Sequence, residues 1–230
     1  MLKNIIILLV ILIIIYLILI MPKLKVNPKI LKLKGWHYAH RGLHDINLGI
    51  PENSLKAFQK AVDKGCGIEL DVQITKDKIP IIMHDYSLKR TCGVDLKVYD
   101  LNYEELADYR LFNTEEKIPS LREALTCIDG KVPVFVELKI PRRPKDTCEL
   151  VSKELDNYKG FYVMESFNPF ALIWYKKNKP EVLRGQLSSD FNKHGVEGSK
   201  IQYFILKNLL MNVFTKPDFI AYHHLYKKGL

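Results

Sequence analysis

Apolar positions set the amino-terminal segment apart from the rest of the chain. Residues 5–21 form an almost unbroken apolar run, in which Tyr16 is the one mildly polar residue. A helix of this length, at about 1.5 Å per residue, crosses the hydrocarbon core of a bilayer. The run is longer than the roughly 7–15 apolar residues of a cleaved signal peptide, and no small-residue cleavage site precedes Pro22. We therefore predict a transmembrane anchor over residues 1–22, with a signal peptide as the alternative.

From residue 36 onward, short apolar runs typical of buried strands alternate with runs whose apolar residues recur at helical spacing. Asn53 or Ser54 can cap the first helix, and Ser120 with Glu123 forms a capping box. This alternation predicts an α/β fold built from right-handed βαβ units around a parallel sheet. The predicted strands cover about 35–39, 68–74, 79–84, 132–137, 161–166, 182–187 and 218–222, and the predicted helices cover 54–65, 103–109, 120–128, 146–157, 168–178 and 200–212.

Three carboxylates accompany two of the predicted strands. Residues i and i+2 of a strand project to the same face, so Glu69 and Asp71 point together while Leu70 packs on the other side. Glu137 follows the apolar run 132–136 and supplies a third oxygen ligand. Close ionised carboxylates repel each other unless a cation lies between them. Hard oxygen ligands favour magnesium, calcium or manganese over zinc, so the pattern predicts one divalent-cation site; a solvated strand face is the alternative.

Two histidines lie at the ends of predicted strands. His40 follows the run 35–39, and His84 follows the run 79–83. The carboxyl ends of parallel strands carry the chemistry of α/β folds, and imidazole both accepts and donates protons near neutral pH. Arg41 can clamp phosphate oxygens and Lys139 can add a point charge, so the set predicts a metal-assisted phosphodiester-cleaving site. A hydrogen-bonded structural role is the alternative for each histidine. We expect that role for the remaining ones, which are His37, His44, His194, His223 and His224.

A series of short motifs surrounds these residues. They are AHRG at 39–42, PENSLKAF at 51–58, IELDV at 68–72, TKD at 75–77, HD at 84–85, LKRT at 88–91, IPSL at 118–121, VELK at 136–139 and SFN at 166–168. In combination, from about residue 38 to residue 218, they resemble the glycerophosphodiester phosphodiesterase family. The resemblance implies a (β/α)8 TIM-type barrel that hydrolyses glycerophosphodiesters to glycerol 3-phosphate and an alcohol. Its implied site comprises the acid/base pair His40 and His84, the metal ligands Glu69, Asp71 and Glu137, the phosphate contacts Arg41 and Lys139, and a supporting Glu52.

Two other functions remain open at this stage. The same site could cleave the headgroups of phospholipids or lysophospholipids in the manner of a phospholipase D. Alternatively, the chain could be an inactive membrane-anchored binding protein. Release of glycerol phosphate from a diester with and without EDTA separates these possibilities.

The length of the chain predicts an incomplete barrel. Residues 36–230 fall short of the roughly 250 residues that a closed eight-stranded barrel typically takes, and the pattern contains seven strand candidates. Members of the family usually continue through one more strand, which commonly bears a Trp-Thr motif, and a closing helix. No such motif occurs before Leu230. We therefore expect the barrel of residues 36–230 to lack its last βα unit, as a truncated product, a shortened variant or a chain completed by a partner.

Charge refines the expected location. The net charge is +9, and five lysines lie in residues 23–35, a basic juxtamembrane linker, whereas Lys3 is the one lysine before the apolar run of residues 5–21. The positive-inside rule then predicts a single-pass protein of the cell membrane with its catalytic domain on the cytoplasmic side. Lysines that contact anionic lipid headgroups would give the same composition. Nucleic acid is not an expected partner because no nucleic-acid-binding motif occurs.

The four cysteines lack CxxC spacing and are predicted to be reduced thiols.

Overall fold

A parallel sheet forms the body of the protein. The computed structural model describes residues 2–190 and 199–223. In the described residues the strands are β1 (Tyr38–His40), β2 (Gly67–Ile74), β3 (Pro80–Ile82), β4 (Val134–Leu138), β5 (Tyr162–Ser166), β6 (Arg184–Ser188) and β7 (Phe219–Tyr222). Six of these strands are parallel in the order β1-β2-β4-β5-β6-β7, and the sheet curls as a half-barrel.

Helices follow most of the parallel strands. They are α1 (Leu2–Ile20), α2 (Leu55–Asp63), α3 (Lys89–Cys92), α4 (Tyr103–Leu106), α5 (Leu121–Ile128), α6 (Pro144–Leu155), α7 (Pro169–Asn178), α8 (Lys200–Lys207) and α9 (Asn212–Thr215). The Ser54 hydroxyl caps α2 by accepting from the Ala57 N–H. The predicted capping box of Ser120 and Glu123 is confirmed at α5.

Two local predictions are wrong. The helix expected over 200–212 ends at Lys207, and Leu209 has a φ of +60°, a conformation incompatible with a continuing α-helix. Residues 88–100, for which the sequence pattern predicts a loop with a short extended piece, contain α3 and a turn of 3₁₀-helix at Val98–Asp100.

The region at 79–84 is not a strand of the barrel. Its central residues form β3, which pairs antiparallel with β2. The connection from Thr75 to Ile79 is a tight turn, in which the Thr75 N–H donates to the Ile79 carbonyl and Lys78 has a φ of +67°. A parallel return needs a crossover of about a dozen residues or more, so this turn permits only a hairpin. The prediction therefore overcounted the barrel strands by one.

The described sheet contains six parallel strands, two fewer than the eight of a closed barrel. Within the described residues, β1 pairs only with β2 and β7 pairs only with β6. Of the seven barrel strands that the sequence pattern predicts, the described residues therefore contain six.

The hydrophobic core lies between the sheet and the helices on its outer side. Leu70 of β2, Val136 of β4 and Met164 of β5 join Phe58 of α2 and Tyr175 of α7 in one cluster, and all five are fully buried. Strand alternation sends the neighbours of these residues to the opposite, inner face of the sheet. The core therefore fixes which side chains enter the interior of the half-barrel.

The helix α1 stands apart from this core. It is 19 residues long with a mean hydropathy of 3.1 and has no buried residue. By length and composition it can cross a membrane, and a signal sequence near the amino terminus has the same properties.

Candidate active site

The inner face of β2, β4 and β5 brings acidic side chains together. Asp71 of β2 is in register with Glu137 of β4, which is in register with Glu165 of β5, while Glu69 is in register with His40 of β1. The carboxylates of Glu69, Asp71 and Glu137 are buried, and one oxygen of each lies within 4.8 Å of the others. The predicted convergence of these three side chains is therefore present in the fold.

Two cations and one amide contact this acidic cluster. The ammonium of Lys139 lies 2.6 Å from Glu137 Oε1 and 3.2 Å from Asp71 Oδ1. Asn53 donates its amide N–H to Asp71 Oδ2 at 2.8 Å, and Arg41 Nε lies 3.5 Å from the same oxygen. Lys139 thus contacts two of the three carboxylates, and its charge offsets part of theirs.

The pKa values of the carboxyl groups diverge. Burial, reinforced by Asp71 and Glu137, raises the pKa of Glu69 well above its ordinary value. Burial likewise raises the pKa of Glu137, and it raises that of Glu165 to about 8 with a contribution from Glu137. For Asp71, burial is outweighed by the positive charge of Lys139, by His84 and by the hydrogen bond from Asn53, so its pKa is lowered.

This pattern indicates an excess of buried negative charge. Four carboxyl groups share the interior, and two of the three grouped carboxylates are pushed toward the protonated form. A divalent cation bound by oxygen ligands would remove that penalty, because an opposite charge favours ionised carboxylates. The donor set of Glu69, Asp71 and Glu137 therefore fits magnesium or calcium in both chemistry and spacing.

His40 adjoins the cluster at the carboxyl end of β1, whereas His84, which was expected at the end of a parallel strand, follows β3, and β3 runs antiparallel to β2. His40 Nε2 lies 4.0 Å from Glu69 Oε2, and the imidazole side chain is 70% exposed. Burial of its inner part and the charge of Arg41 lower the pKa of His40. His84 Nδ1 lies 2.6 Å from Asp85 Oδ1. The hydrogen bond to His84 is the largest of the influences that hold the pKa of Asp85 well below its ordinary value.

A network of arginines and carboxylates holds the rim of the site. Arg41 donates to Glu52 Oε1 at 2.8 Å, and Arg90 donates to the same oxygen at 2.6 Å. Arg90 also donates through Nε to Asp85 Oδ2 at 2.6 Å. Glu52, assigned only a supporting role by the resemblance, therefore links both arginines. Through Arg90 and Asp85 this network reaches His84.

Three of these groups were not predicted from the sequence as parts of the site. Glu165 lies one residue before the end of β5, as Glu137 does in β4, so the strand-end signal that found Glu137 also applies to Glu165. Asn53 was considered only as a helix cap, yet its side chain bonds Asp71 instead. Arg90 belongs to the LKRT motif, but spacing alone gives no sign of its contact with Glu52, which is 38 residues away. His194 and His224 lie outside the described residues.

Comparisons with known proteins find relatives of one family. The model of the glycerophosphoryl diester phosphodiesterase family matches residues 40–230. Human glycerophosphodiester phosphodiesterase 1 is 39% identical over 112 residues, which are 44% of this chain and 33% of that protein. Lysophospholipase D GDPD1 of Rattus norvegicus is 36% identical over 117 residues, which are 45% of this chain and 36% of that protein. The matches therefore span about a third of each of these relatives.

Solved structures extend the similarity to the fold. A phosphodiesterase from Oleispira antarctica, solved in complex with the product sn-glycerol-3-phosphate, superposes with a TM-score of 0.62 at 28% identity, covering 75% of this chain and 71% of that one. A glycerophosphodiester phosphodiesterase from Thermotoga maritima has a TM-score of 0.56 at 28% identity, covering 74% and 67% of the two chains. Because the family model covers most of the sequence, the chain belongs to the glycerophosphoryl diester phosphodiesterase family.

Proposed function

We propose that this chain hydrolyses glycerophosphodiesters to glycerol 3-phosphate and an alcohol. The observation that carries the proposal is the convergence of Glu69, Asp71 and Glu137 within 4.8 Å of one another, beside His40 and at the edge of the sheet where the strands end. A purely structural role for three buried carboxylates is costly, because each ionised group loses its hydration. A catalytic site accounts for that cost.

Each group of side chains would have its own role in the reaction. His40 and His84 would exchange protons with the attacking oxygen and the leaving alkoxide, the two transfers that diester cleavage requires. Arg41 and Lys139 would bind phosphate oxygens as negative charge develops. Arg41 is held by Glu52 at 2.8 Å, and Asp85 holds His84 at 2.6 Å, so both groups are oriented before substrate arrives.

A divalent cation would complete the site. Glu69, Asp71 and Glu137 would hold it, and magnesium and calcium are the ions that best suit three carboxylate oxygens. When bound, such an ion supplies a positive charge next to a nonbridging phosphate oxygen and so lowers the cost of charge in the transition state. The neighbouring Lys139 would then share its charge between the carboxylates and the substrate.

The amino-terminal residues bear on the membrane location and orientation of the catalytic domain. We propose that residues 1–22 form a single transmembrane span, that residues 23–35 are a basic juxtamembrane segment and that the catalytic domain of residues 36–230 faces the cytoplasm. The hydropathy of α1 and the excess of lysines after it support this arrangement. Protease accessibility of the domain in intact cells tests the orientation, because a cytoplasmic domain is protected until the membrane is opened.

A hydrolysis assay tests the proposed activity. The full chain in detergent micelles would be given glycerophosphocholine or glycerophosphoglycerol with EDTA, and then with magnesium or calcium in excess. We expect glycerol 3-phosphate to appear only when the cation is restored. Loss of activity in His40→Gln, but not in the control His44→Gln four residues away on an exposed position, would assign the chemistry to the site. No release of glycerol 3-phosphate under any of these conditions would favour the inactive binding protein.

The lysophospholipase D relative makes one second candidate worth testing. The same assay with a lysophospholipid would then release the headgroup alcohol and leave a lysophosphatidic acid. Equal rates for both substrate classes would assign the site to lysophospholipids as well as to glycerophosphodiesters.

A further inference from the structure

The residues that follow the anchor contact the barrel. Residues 22–35, which we name the base strap, begin where α1 ends and include a turn of 3₁₀-helix at Pro28–Leu33. The end of α1 is itself fixed, because Asn212 donates to the Ile20 carbonyl at 2.8 Å and Lys216 donates to the Met21 carbonyl at 3.1 Å. The strap therefore starts from a defined position beside α9.

The base strap crosses the amino ends of four parallel strands in order. Lys23 forms an ion pair of 3.2 Å with Asp218, directly before β7. Lys29 donates to the Glu181 carbonyl at 3.1 Å, before β6. The Lys32 ammonium lies 5.4 Å from the centre of the Phe161 ring, directly before β5. At the start of β1, the Tyr38 hydroxyl donates to the Leu33 carbonyl.

The candidate active site lies toward the other end of the same strands. On β2, Asp71 is four residues beyond Gly67, where the strand begins, which is about 13 Å along its axis. His40 and Lys139 stand at the carboxyl ends of β1 and β4. The strap and the opening of the site are thus on opposite ends of the half-barrel.

The outward face of the base strap combines apolar and basic side chains. Leu24, Val26 and Leu31 are 81%, 69% and 59% exposed. Five lysines and no acidic residue occur between Pro22 and Gly35, and Lys25 and Lys34 lie at exposed positions apart from the three lysines that contact the barrel. Apolar side chains flanked by lysines are the composition of segments that lie in the headgroup region of an anionic bilayer. The strap is also continuous with α1, so any membrane that α1 crosses begins at the strap.

We propose that the base strap lies on the surface of the membrane that α1 spans. In this position it holds the half-barrel with its catalytic opening toward the aqueous phase. The substrates are then diffusible phosphodiesters and not lipids embedded in that bilayer. This inference rests on the proposed activity for its substrate class and on the proposed span for its membrane. A bilayer lipid keeps its phosphate in the headgroup layer, whereas the acidic cluster is separated from the strap by much of the height of the sheet. Reaching such a phosphate would require the strap to leave the four strands it contacts.

Tryptophan quenching tests the orientation without any need for turnover. The full chain, with Trp36 and Trp174 replaced by Phe, would be reconstituted into vesicles of phosphatidylcholine and phosphatidylglycerol whose acyl chains carry bromine. A single tryptophan would then be placed at Leu31 in the strap, at Leu48 beyond β1 on the catalytic side, or at Phe204 on α8. We expect the Leu31→Trp protein to lose most of its emission and the other two to keep theirs. Stronger quenching at Leu48 or at Phe204 would overturn the orientation.

A matched pair of double variants tests whether the contacts of the strap hold this orientation. Lys23→Ser with Lys29→Ser removes both lysines that bond the barrel, whereas Lys25→Ser with Lys34→Ser removes the same charge from exposed positions. In a Leu48→Trp background, quenching should rise in the first double variant and stay unchanged in the second. An equal response in the two would show that charge alone, and not attachment to the strands, sets the orientation.

Substrate presentation tests the consequence for function. The reconstituted chain would receive glycerophosphocholine, a short-chain lysophosphatidylcholine that stays monomeric in solution, and a long-chain one embedded in the vesicles. We expect the two diffusible diesters to be cleaved faster than the embedded one by about tenfold or more, because misplacement of a reacting group costs factors of that size. Preference for the embedded lipid would overturn this inference while leaving the proposed hydrolysis intact. If all three remain uncleaved, the proposed activity fails, and quenching alone then decides the orientation.

Discussion

Replacing Glu69 by Gln should change stability in opposite directions with and without a divalent cation. The substitution keeps an oxygen that can accept the Arg41 N–H, now bonded at 2.9 Å, and it removes one negative charge from the acidic cluster. In the absence of a cation that charge is repelled by Asp71 and Glu137. In the presence of a cation the same charge binds it.

The size of the effect follows from the spacing. One oxygen of Glu69 lies within 4.8 Å of an oxygen of Asp71 and of Glu137. At an effective dielectric constant of about 20, two unit charges so placed repel by about 3 kcal/mol. In the unmodified protein, protonation of Glu69 already relieves part of this repulsion. We therefore expect Glu69→Gln to stabilise the cation-free protein at pH 8 by less than the full repulsion, about 2 kcal/mol, or roughly 4–8 °C in Tm. A cation at about 100 times its Kd stabilises the unmodified protein by about 2.7 kcal/mol.

Thermal unfolding of the full chain in micelles, followed by tryptophan fluorescence, measures both effects. In EDTA the Tm of Glu69→Gln should exceed that of the unmodified protein. With excess magnesium or calcium the order should reverse, because the variant loses most of its cation-dependent shift. Glu104→Gln, which removes a charge at an exposed position of α4, should change neither value. If Glu69→Gln lowers the Tm in EDTA and retains the full cation shift, the carboxylate is structural and the cluster is not a cation site.

Three further substitutions test the surrounding structure. Lys139→Met should lower the stability of the cation-free protein by about 3 kcal/mol, seen as a lower Tm in EDTA, because it leaves buried carboxylates unpaired. Arg90→Gln should lower kcat and flatten the loss of Tm between pH 5 and pH 3. Arg90 helps to hold the pKa values of Glu52 and Asp85 below their unfolded values. The resulting stabilisation is present at neutral pH and is lost as pH falls. An unchanged pH profile would contradict that reasoning. Leu70→Ala should cost about 2–5 kcal/mol in denaturant unfolding, because Leu70 is fully buried in the core; a cost below about 1 kcal/mol would refute its place there.

Local signals in the sequence were sufficient for most of the fold and for the three carboxylates. Alternation on β2 placed Glu69 and Asp71 on one face, and the apolar run before Glu137 placed it at the end of a strand. Both inferences use only the two-residue period of a strand and the tendency of parallel strands to be buried. They need no knowledge of which strands are neighbours.

Pairing between distant segments could not be predicted in the same way. The apolar run at 79–83 has the composition of a buried strand, and only the short turn before it shows that β3 returns antiparallel. The contacts of Arg90 with Glu52, and of Lys23 with Asp218, join residues 38 and 195 positions apart. No periodicity in the sequence encodes such distances, so the rim network and the path of the base strap emerge only from the folded chain.

The position of a bound ion tests the central claim most directly. Crystals of the chain grown with Mn²⁺ would be measured at the manganese absorption edge, where anomalous scattering locates the ion without reference to activity. We expect one strong peak at about 2.0–2.6 Å from oxygens of Glu69, Asp71 and Glu137, the range found for hard divalent cations with carboxylates. A fully occupied manganese site elsewhere, with no peak among these three carboxylates, would contradict the account.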